Sequence, residues 1–312
     1  MNIPRKHKRK NILRRITFGG LILWSVWVLT GCCQKEIEYD LEPIVVGMNF
    51  DWQNAIDANP EGMTMLFFPL EGPSQPWRFD ISGRAGGNIE ILPGRYNVLT
   101  FNNDLPGVEF TYKDSFDRFS AMTRSVGDTL SAPTGVLYSA VIPEVEIRNT
   151  NGKLRILTLS PDSLSTVYHI RLDSVSGTER IKTARAVLQG LARSVCLHLK
   201  CNSKEYCNVV APLQISGSDH SVLETVTTGF GNPDIAEPRI RLDVIVTTSH
   251  GSYKKTFDVT DQVMNSKYLR NVNINIKGLE IPAADTPEHP DGDDVGITVG
   301  VDGWQVIEIV YS

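Results

Sequence analysis

The sequence carries none of the short segments that announce common chemistries. There is no H-E-x-x-H helix for a zinc hydrolase and no G-x-S-x-G nucleophile elbow. Gly83-Arg84-Ala85-Gly86-Gly87 is rich in glycine but has no Lys-Ser/Thr ending and no helical pattern after it, so it reads as a turn and not as a phosphate loop. Ser218-Asp219-His220 are adjacent in sequence, whereas a catalytic triad is assembled from separate elements, and that triplet also reads as a turn. The six histidines are scattered and form no ligand cluster. No low-complexity run suggests disorder. With no acid–base pair or nucleophile constellation in view, the expectation is a protein that is not an enzyme and has no cofactor.

Acidic residues are missing from the start of the chain. Met1 to Arg15 holds Arg5, Lys6, Lys8, Arg9, Lys10, Arg14 and Arg15 without an acid. An apolar run from Ile16 to Leu29 follows, interrupted by Gly19, Gly20 and Ser25, and then Leu29-Thr30-Gly31-Cys32. Basic residues, a short apolar core and small residues are the parts of a secretory signal in their usual order. The run falls short of the roughly 20 residues that a spanning helix needs. Leu29-Thr30-Gly31-Cys32 resembles the lipobox of bacterial lipoproteins, which implies cleavage between Gly31 and Cys32 and a lipid on Cys32. Residues 1–31 are then a signal peptide and 32–43 a lipidated tether. Cys33-Gln34-Lys35-Glu36-Ile37-Glu38 resembles a short acidic signal that sends lipoproteins of Bacteroidota to the cell surface, and reads equally as a solvated tether. The expected location is the outer membrane, at the cell surface, on a lipid anchor.

Removing the leader changes the charge. Seven of the 31 basic residues and none of the 36 acidic ones precede Cys32, which leaves a net charge near −12. Nucleic acid is excluded as a partner on that balance, because phosphate neutralisation by Lys and Arg supplies most non-specific affinity. An anionic lipid surface would repel the chain too, which makes a covalent anchor to the membrane more necessary.

Most of the remaining chain has the period of strands. Ile240, Leu242, Val244 and Val246 alternate with Arg239, Arg241 and Asp243; Tyr168, Ile170 and Leu172 with His169, Arg171 and Asp173; Val272, Ile274 and Ile276 with three asparagines. Ile297, Val299 and Val301 repeat the pattern. Strands of this kind bury one face and wet the other, as in antiparallel sheets. Turn signals such as Pro93-Gly94, Asn151-Gly152 and His250-Gly251 separate them. The fold class is all-β, with antiparallel sandwiches. About 280 residues exceed what one core usually organises, and a boundary near Ile142-Pro143 divides the chain into 44–142 and 143–312. Helical spacing is sparse: Ile181, Ala184, Val187, Leu188 and Leu191, weakened by Gly190, and Phe116, Phe119 and Met122 after Asp114-Ser115.

Few residues stand out as candidate sites. Cys201 and Cys207 bracket a short loop where an exported protein can form a disulfide. A metal set of Cys196, His198, Cys201 and Cys207 lacks the paired C-x-x-C knuckles of structural zinc, so no metal site is expected. Asp291-Gly292-Asp293-Asp294, with Asp302 beyond, has calcium-loop character, but Val295 stands where an oxygen ligand is needed. Trp52, Trp77 and Trp304 are a candidate sugar-stacking platform, although large aromatics more often fill cores.

Several longer segments carry a family likeness. They are Gly62-Met63-Thr64-Met65-Leu66-Phe67-Phe68-Pro69, Gly94-Arg95-Tyr96-Asn97-Val98-Leu99-Thr100-Phe101-Asn102-Asn103-Asp104, Phe257-Asp258-Val259-Thr260-Asp261-Gln262-Val263 and Val301-Asp302-Gly303-Trp304. Together they resemble a family of Bacteroidales surface lipoproteins related to fimbrial anchor and tip proteins of the FimB and minor-fimbrium type. The resemblance implies two tandem transthyretin-like β-sandwich domains after the lipoprotein signal peptide. It also implies an anchor, tip or accessory role in a fimbrial or adhesive assembly, with fimbrial subunits as partners through exchange of β-strands. The competing expectation is a glycan-binding surface lipoprotein of a nutrient-uptake system.

Overall fold

The computed structural model describes residues 42–72, 75–127, 129–149, 154–266, 270–283 and 304–307. The expected signal peptide, the Gly31/Cys32 cleavage site, most of the tether, the calcium-like stretch Asp291–Asp302 and the Ile297–Val301 alternation lie outside these residues. Pro43–Ser312 forms one compact unit, and the regular structure of its described residues is almost all strand. The described helices are a 3-10 turn, Thr178–Arg180, and one short α-helix, Thr260–Met264.

Among the described residues, five sheets build three contiguous cores. In the first half, strands Arg155–Leu159, Ile44–Phe50 and Gly86–Ile91 form a three-stranded sheet in that order. It packs on a five-stranded sheet that runs Asp162–Ser163, Tyr138–Ile147, Gly94–Asn102, Gly62–Pro69, Trp77–Ser82. Val46, Met48, Ile89 and Ile91 from one sheet meet Met63, Met65, Phe67 and Val98 from the other. In the second half, Gln214–Ser216, Val222–Gly229, Thr166–Asp173 and Asn271–Lys277 form a four-stranded sheet. It covers a seven-stranded sheet centred on Arg241–Thr247 and Thr183–Ala192, with Tyr168, Ile170, Leu188, Leu242, Val244 and Val272 between them.

A small fifth sheet, Cys201–Asn202, Ser194–Cys196, Ser120–Thr123 and Val108–Thr111, supplies the third core. Its Val108, Ala121 and Val195, with Leu197 of the adjoining turn, lie against Leu66, Phe68, Leu99 and Phe101. These last four are on the face of the five-stranded sheet opposite Met65 and Phe67. Gly62–Pro69 is therefore covered on both sides, and every position but its last is buried. That is why its sequence is a nearly continuous apolar run inside an antiparallel sheet. The alternation that marks one-sided strands is absent for the same reason.

Most pairs among the described strands are antiparallel, but three are parallel: Ile44–Phe50 with Arg155–Leu159, Thr166–Asp173 with Asn271–Lys277, and Val209 with Ser131. The Ile142-Pro143 position lies within the strand Tyr138–Ile147, at a register shift between Ile142 and Val145. Beyond that position, Arg155–Leu159 and Asp162–Ser163 still belong to the two sheets of the first half. The helical spacing at 181–191 is corrected to a strand, Thr183–Ala192. Its register shifts between Gln189 and Leu191, so Leu188 and Leu191 reach the same core three residues apart and give the run a helix-like spacing. Gly190 makes the shift feasible: φ is +84°, and a Cβ there would lie 2.2 Å from the Arg239 carbonyl oxygen. The 116–122 helical spacing is corrected too. Phe116 and Phe119 fill the third core from a loop of turns, and Met122 is in the strand Ser120–Thr123.

Candidate interaction surface

The three-stranded sheet exposes apolar side chains that the sequence alone did not single out. Ile44-Val45-Val46 is an apolar run, and in a strand two neighbours cannot share a face. Val46 enters the core while Val45 is 47% exposed. Beside it, Ile156 is 63% and Leu154 52% exposed. Gly47 pairs with Ile156, and a Cβ on Gly47 would touch the Ile156 and Leu154 side chains at 3.3 and 3.5 Å. The glycine thus seats both residues close to the sheet. Single exposed apolar residues are ordinary, whereas adjacent ones on one face mark a contact surface. Among the described residues, Arg155–Leu159 pairs on one side only, with Ile44–Phe50, so its other edge offers unpaired backbone donors and acceptors.

A shallow, open hollow of about 510 Å³ lies at the end of this sheet, lined by Asn49, Trp52, Ile56, Arg84 and Thr158 among others. Trp52 and Arg84 hold its wall together. The indole Nε1 donates to the Arg84 carbonyl at 2.8 Å, while the Arg84 guanidinium lies 5.5 Å from the ring centroid and donates to the Ile56 carbonyl. The 83–87 segment is a bend that leads into the strand Gly86–Ile91. Gly86 has φ +103°, and a Cβ there would fall 2.1 Å from the Met48 carbonyl oxygen. Here glycine serves close backbone approach.

The three candidate tryptophans occupy different places. Trp52 is 7% exposed in the first core. Trp304 is 2% exposed in the second, its Nε1 donating to the Glu280 carbonyl at 2.8 Å. Trp77 is 41% exposed, on the edge strand of the five-stranded sheet. The structure does not bring them into one platform, and only Trp77 presents a ring to solvent. Each buried indole fills a core and satisfies its N–H on a carbonyl.

Of the described cysteines, Cys207 lies on a different sheet from Cys196 and Cys201. Cys207 is buried, its Sγ 3.5 Å from the Ala192 carbonyl, and burial pushes its thiol up from the ordinary value. Cys201 is exposed and directly opposite Cys196, which is half-buried. Partial burial, and then the neighbouring Cys196 thiol, push the Cys201 thiol up. Val195 and Leu197 are buried as the alternation implies, but Leu199 is 64% exposed because it lies in the turn. His198 packs beside Phe116, with ring centroids 4.4 Å apart. Among the described residues, no group of three His, Cys, Asp or Glu is placed to hold a metal ion. Asp219 accepts from the Ser221 backbone and hydroxyl, as in a turn.

Comparison with known proteins places this architecture. A family model described as Domain of unknown function (DUF5119) matches residues 31–212, more than half of the chain. The sequence is 23% identical to Fim4B of Bacteroides ovatus, named as a candidate fimbrium anchoring subunit, over 94% of this chain and 97% of that one. Among solved structures, a candidate adhesin from Bacteroides ovatus gives a TM-score of 0.63 at 19% identity, covering 82% of this chain and 99% of that chain. The fimbrial anchor protein Mfa2 from Porphyromonas gingivalis gives 0.50 at 13% identity, covering 75% and 90%. At these identities the structural likeness shows the fold.

Proposed function

We infer the function from one premise: the chain belongs to the DUF5119 family. We propose that it is a non-enzymatic accessory subunit of a fimbrium, held at the cell surface by a lipid on Cys32, and that it anchors or tips the assembly. The observation that carries this reading is the match to Fim4B along nearly the whole of both chains. A relative matched from end to end shares its domain arrangement, and not only one common module.

The three-stranded sheet supports the partner side of the proposal. The edge of Arg155–Leu159, unpaired among the described residues and carrying exposed Ile156 beside exposed Leu154, suits strand addition by a fimbrial subunit. Main-chain hydrogen bonds would supply affinity there, and the exposed apolar side chains would select the partner.

The test combines anchoring and capture. A photo-crosslinking residue at Ile156 on intact cells is expected to recover a fimbrial subunit, while the same residue at exposed His220 recovers none. Cys32→Ala is expected to leave a precursor that is neither lipidated nor cleaved at that site, with fimbriae lost or shed into the medium. Unchanged fimbriation after deletion of the gene, with no fimbrial subunit recovered from Ile156, would overturn the proposal.

A further inference from the structure

We infer that Cys196 and Cys201 are a redox pair that closes into a cross-strand disulfide, stapling the hairpin that roofs the five-stranded sheet. The two residues face each other in the antiparallel register of Ser194–Cys196 and Cys201–Asn202. Directly opposed residues in such a pair have Cα atoms about 4.5 or 5.5 Å apart, and both values fall within the disulfide range of roughly 4.4–6.8 Å. Leu197–Lys200 forms the turn that joins the two strands. Cys207 is no rival partner. It is paired with Leu191 on another sheet, and its sulfur is buried against the Ala192 carbonyl.

The hairpin has a reason to be stapled. Its Val195 and Leu197 are 1% and 0% exposed in the third core, and Lys200 Nζ lies 3.5 Å from Asp162 of the five-stranded sheet. Opening it would uncover Leu66, Phe68, Leu99 and Phe101 together. A bridge around so short a loop removes little entropy from the unfolded chain. Its effect is local, on how often the hairpin opens.

The chemistry is a two-electron exchange. The exposed Cys201 loses its proton and attacks the disulfide of a thiol oxidoreductase in the exporting compartment, forming a mixed disulfide and releasing one thiol. The Cys196 thiolate then attacks the Cys201 sulfur, and the second thiol leaves. The protein's two sulfurs are oxidised and the donor disulfide is reduced to a dithiol. The cellular route rests on the export reading above, whereas the pairing does not.

Peptide mapping separates the two. Trypsin cuts after Arg193, Lys200 and Lys204, so a Cys196–Cys201 bridge joins Ser194–Lys200 to Cys201–Lys204. A Cys201–Cys207 bridge would join Cys201–Lys204 to Glu205–Arg239. The full-length chain, purified and equilibrated with oxidised glutathione, is expected to give the first linked pair. Maleimide labelling of both thiols should fall at least tenfold relative to protein treated with dithiothreitol. Cys207→Ala should keep the linked pair, and Cys196→Ser should restore labelling of Cys201 with the β-sheet circular dichroism unchanged. Recovery of the Cys201–Cys207 pair, or full labelling of Cys196 and Cys201 in oxidised glutathione, would overturn the inference. The same map on chain isolated from cells without reductant reports export: a bridge formed only in vitro would count against the exported location and leave the pairing standing.

Discussion

Asp243 alternates with Leu242 and Val244 as though it faced water, yet it is 4% exposed. Three groups answer its charge. Gln189 Nε2 donates to Oδ2, Thr256 Oγ1 donates to Oδ1 at 2.6 Å, and Lys254 Nζ lies 3.9 Å from Oδ2. All come from neighbouring strands of the seven-stranded sheet, so the carboxylate ties three strands at one point. Removing it leaves an ammonium and two polar side chains without their acceptor. Asp243→Ala is expected to destabilise the protein by about 3 kcal/mol, whereas Asp243→Asn keeps an acceptor for Thr256 and should cost about 1 kcal/mol. Urea unfolding of the two variants measures the difference. Period-two reading cannot find such a residue, because it reports only the spacing of apolar positions.

At the scale of elements, Asn271–Lys277 is the edge of its sheet among the described residues, and a helix side chain covers that edge. Gln262 accepts from the Asn275 N–H at 2.8 Å and donates to the Asn275 carbonyl at 3.2 Å. One primary amide therefore does what a neighbouring strand's peptide would do, and it makes the edge less available to other chains. Gln262→Ala is expected to speed hydrogen exchange at the Asn275 amide by about three- to tenfold, read by nuclear magnetic resonance, with no change in amides of the first half. This strand was legible in the sequence, as were Thr166–Asp173 and Arg241–Thr247. Thr166–Asp173 and Asn271–Lys277 bury one face, so Tyr168 and Ile170, or Val272 and Ile274, repeat at period two. Arg241–Thr247 shows the period through Leu242, Val244 and Val246, although Asp243 and Ile245 on its other face are buried too. Thr183–Ala192 was not legible, because the shift at Gly190 breaks the period. The surface of Val45, Leu154 and Ile156 was hidden for another reason: which of two apolar neighbours faces outward depends on a partner strand more than a hundred residues away.

For the whole molecule, the third core decides how the halves relate. It draws Leu66, Leu99 and Phe101 from the first half and Ala192, Leu197 and Phe230 from the second. Phe119, 1% exposed, lies among them. Phe119→Ala is expected to cost about 3–5 kcal/mol. Trp52 and Trp304 report the first and second cores separately. In urea, variants retaining one or the other are expected to share a midpoint, and Phe119→Ala should lower both together. The pairing of Ile44–Phe50 with Arg155–Leu159 has a consequence in time as well. A chain delivered from its N-terminus must release residue 159 before its first strand has both neighbours, and residue 197 before Gly62–Pro69 is covered on its second side. Such distant partners make folding slow. Over that interval an apolar strand stands half-naked, which makes the nascent protein a natural client for a chaperone that holds extended chains.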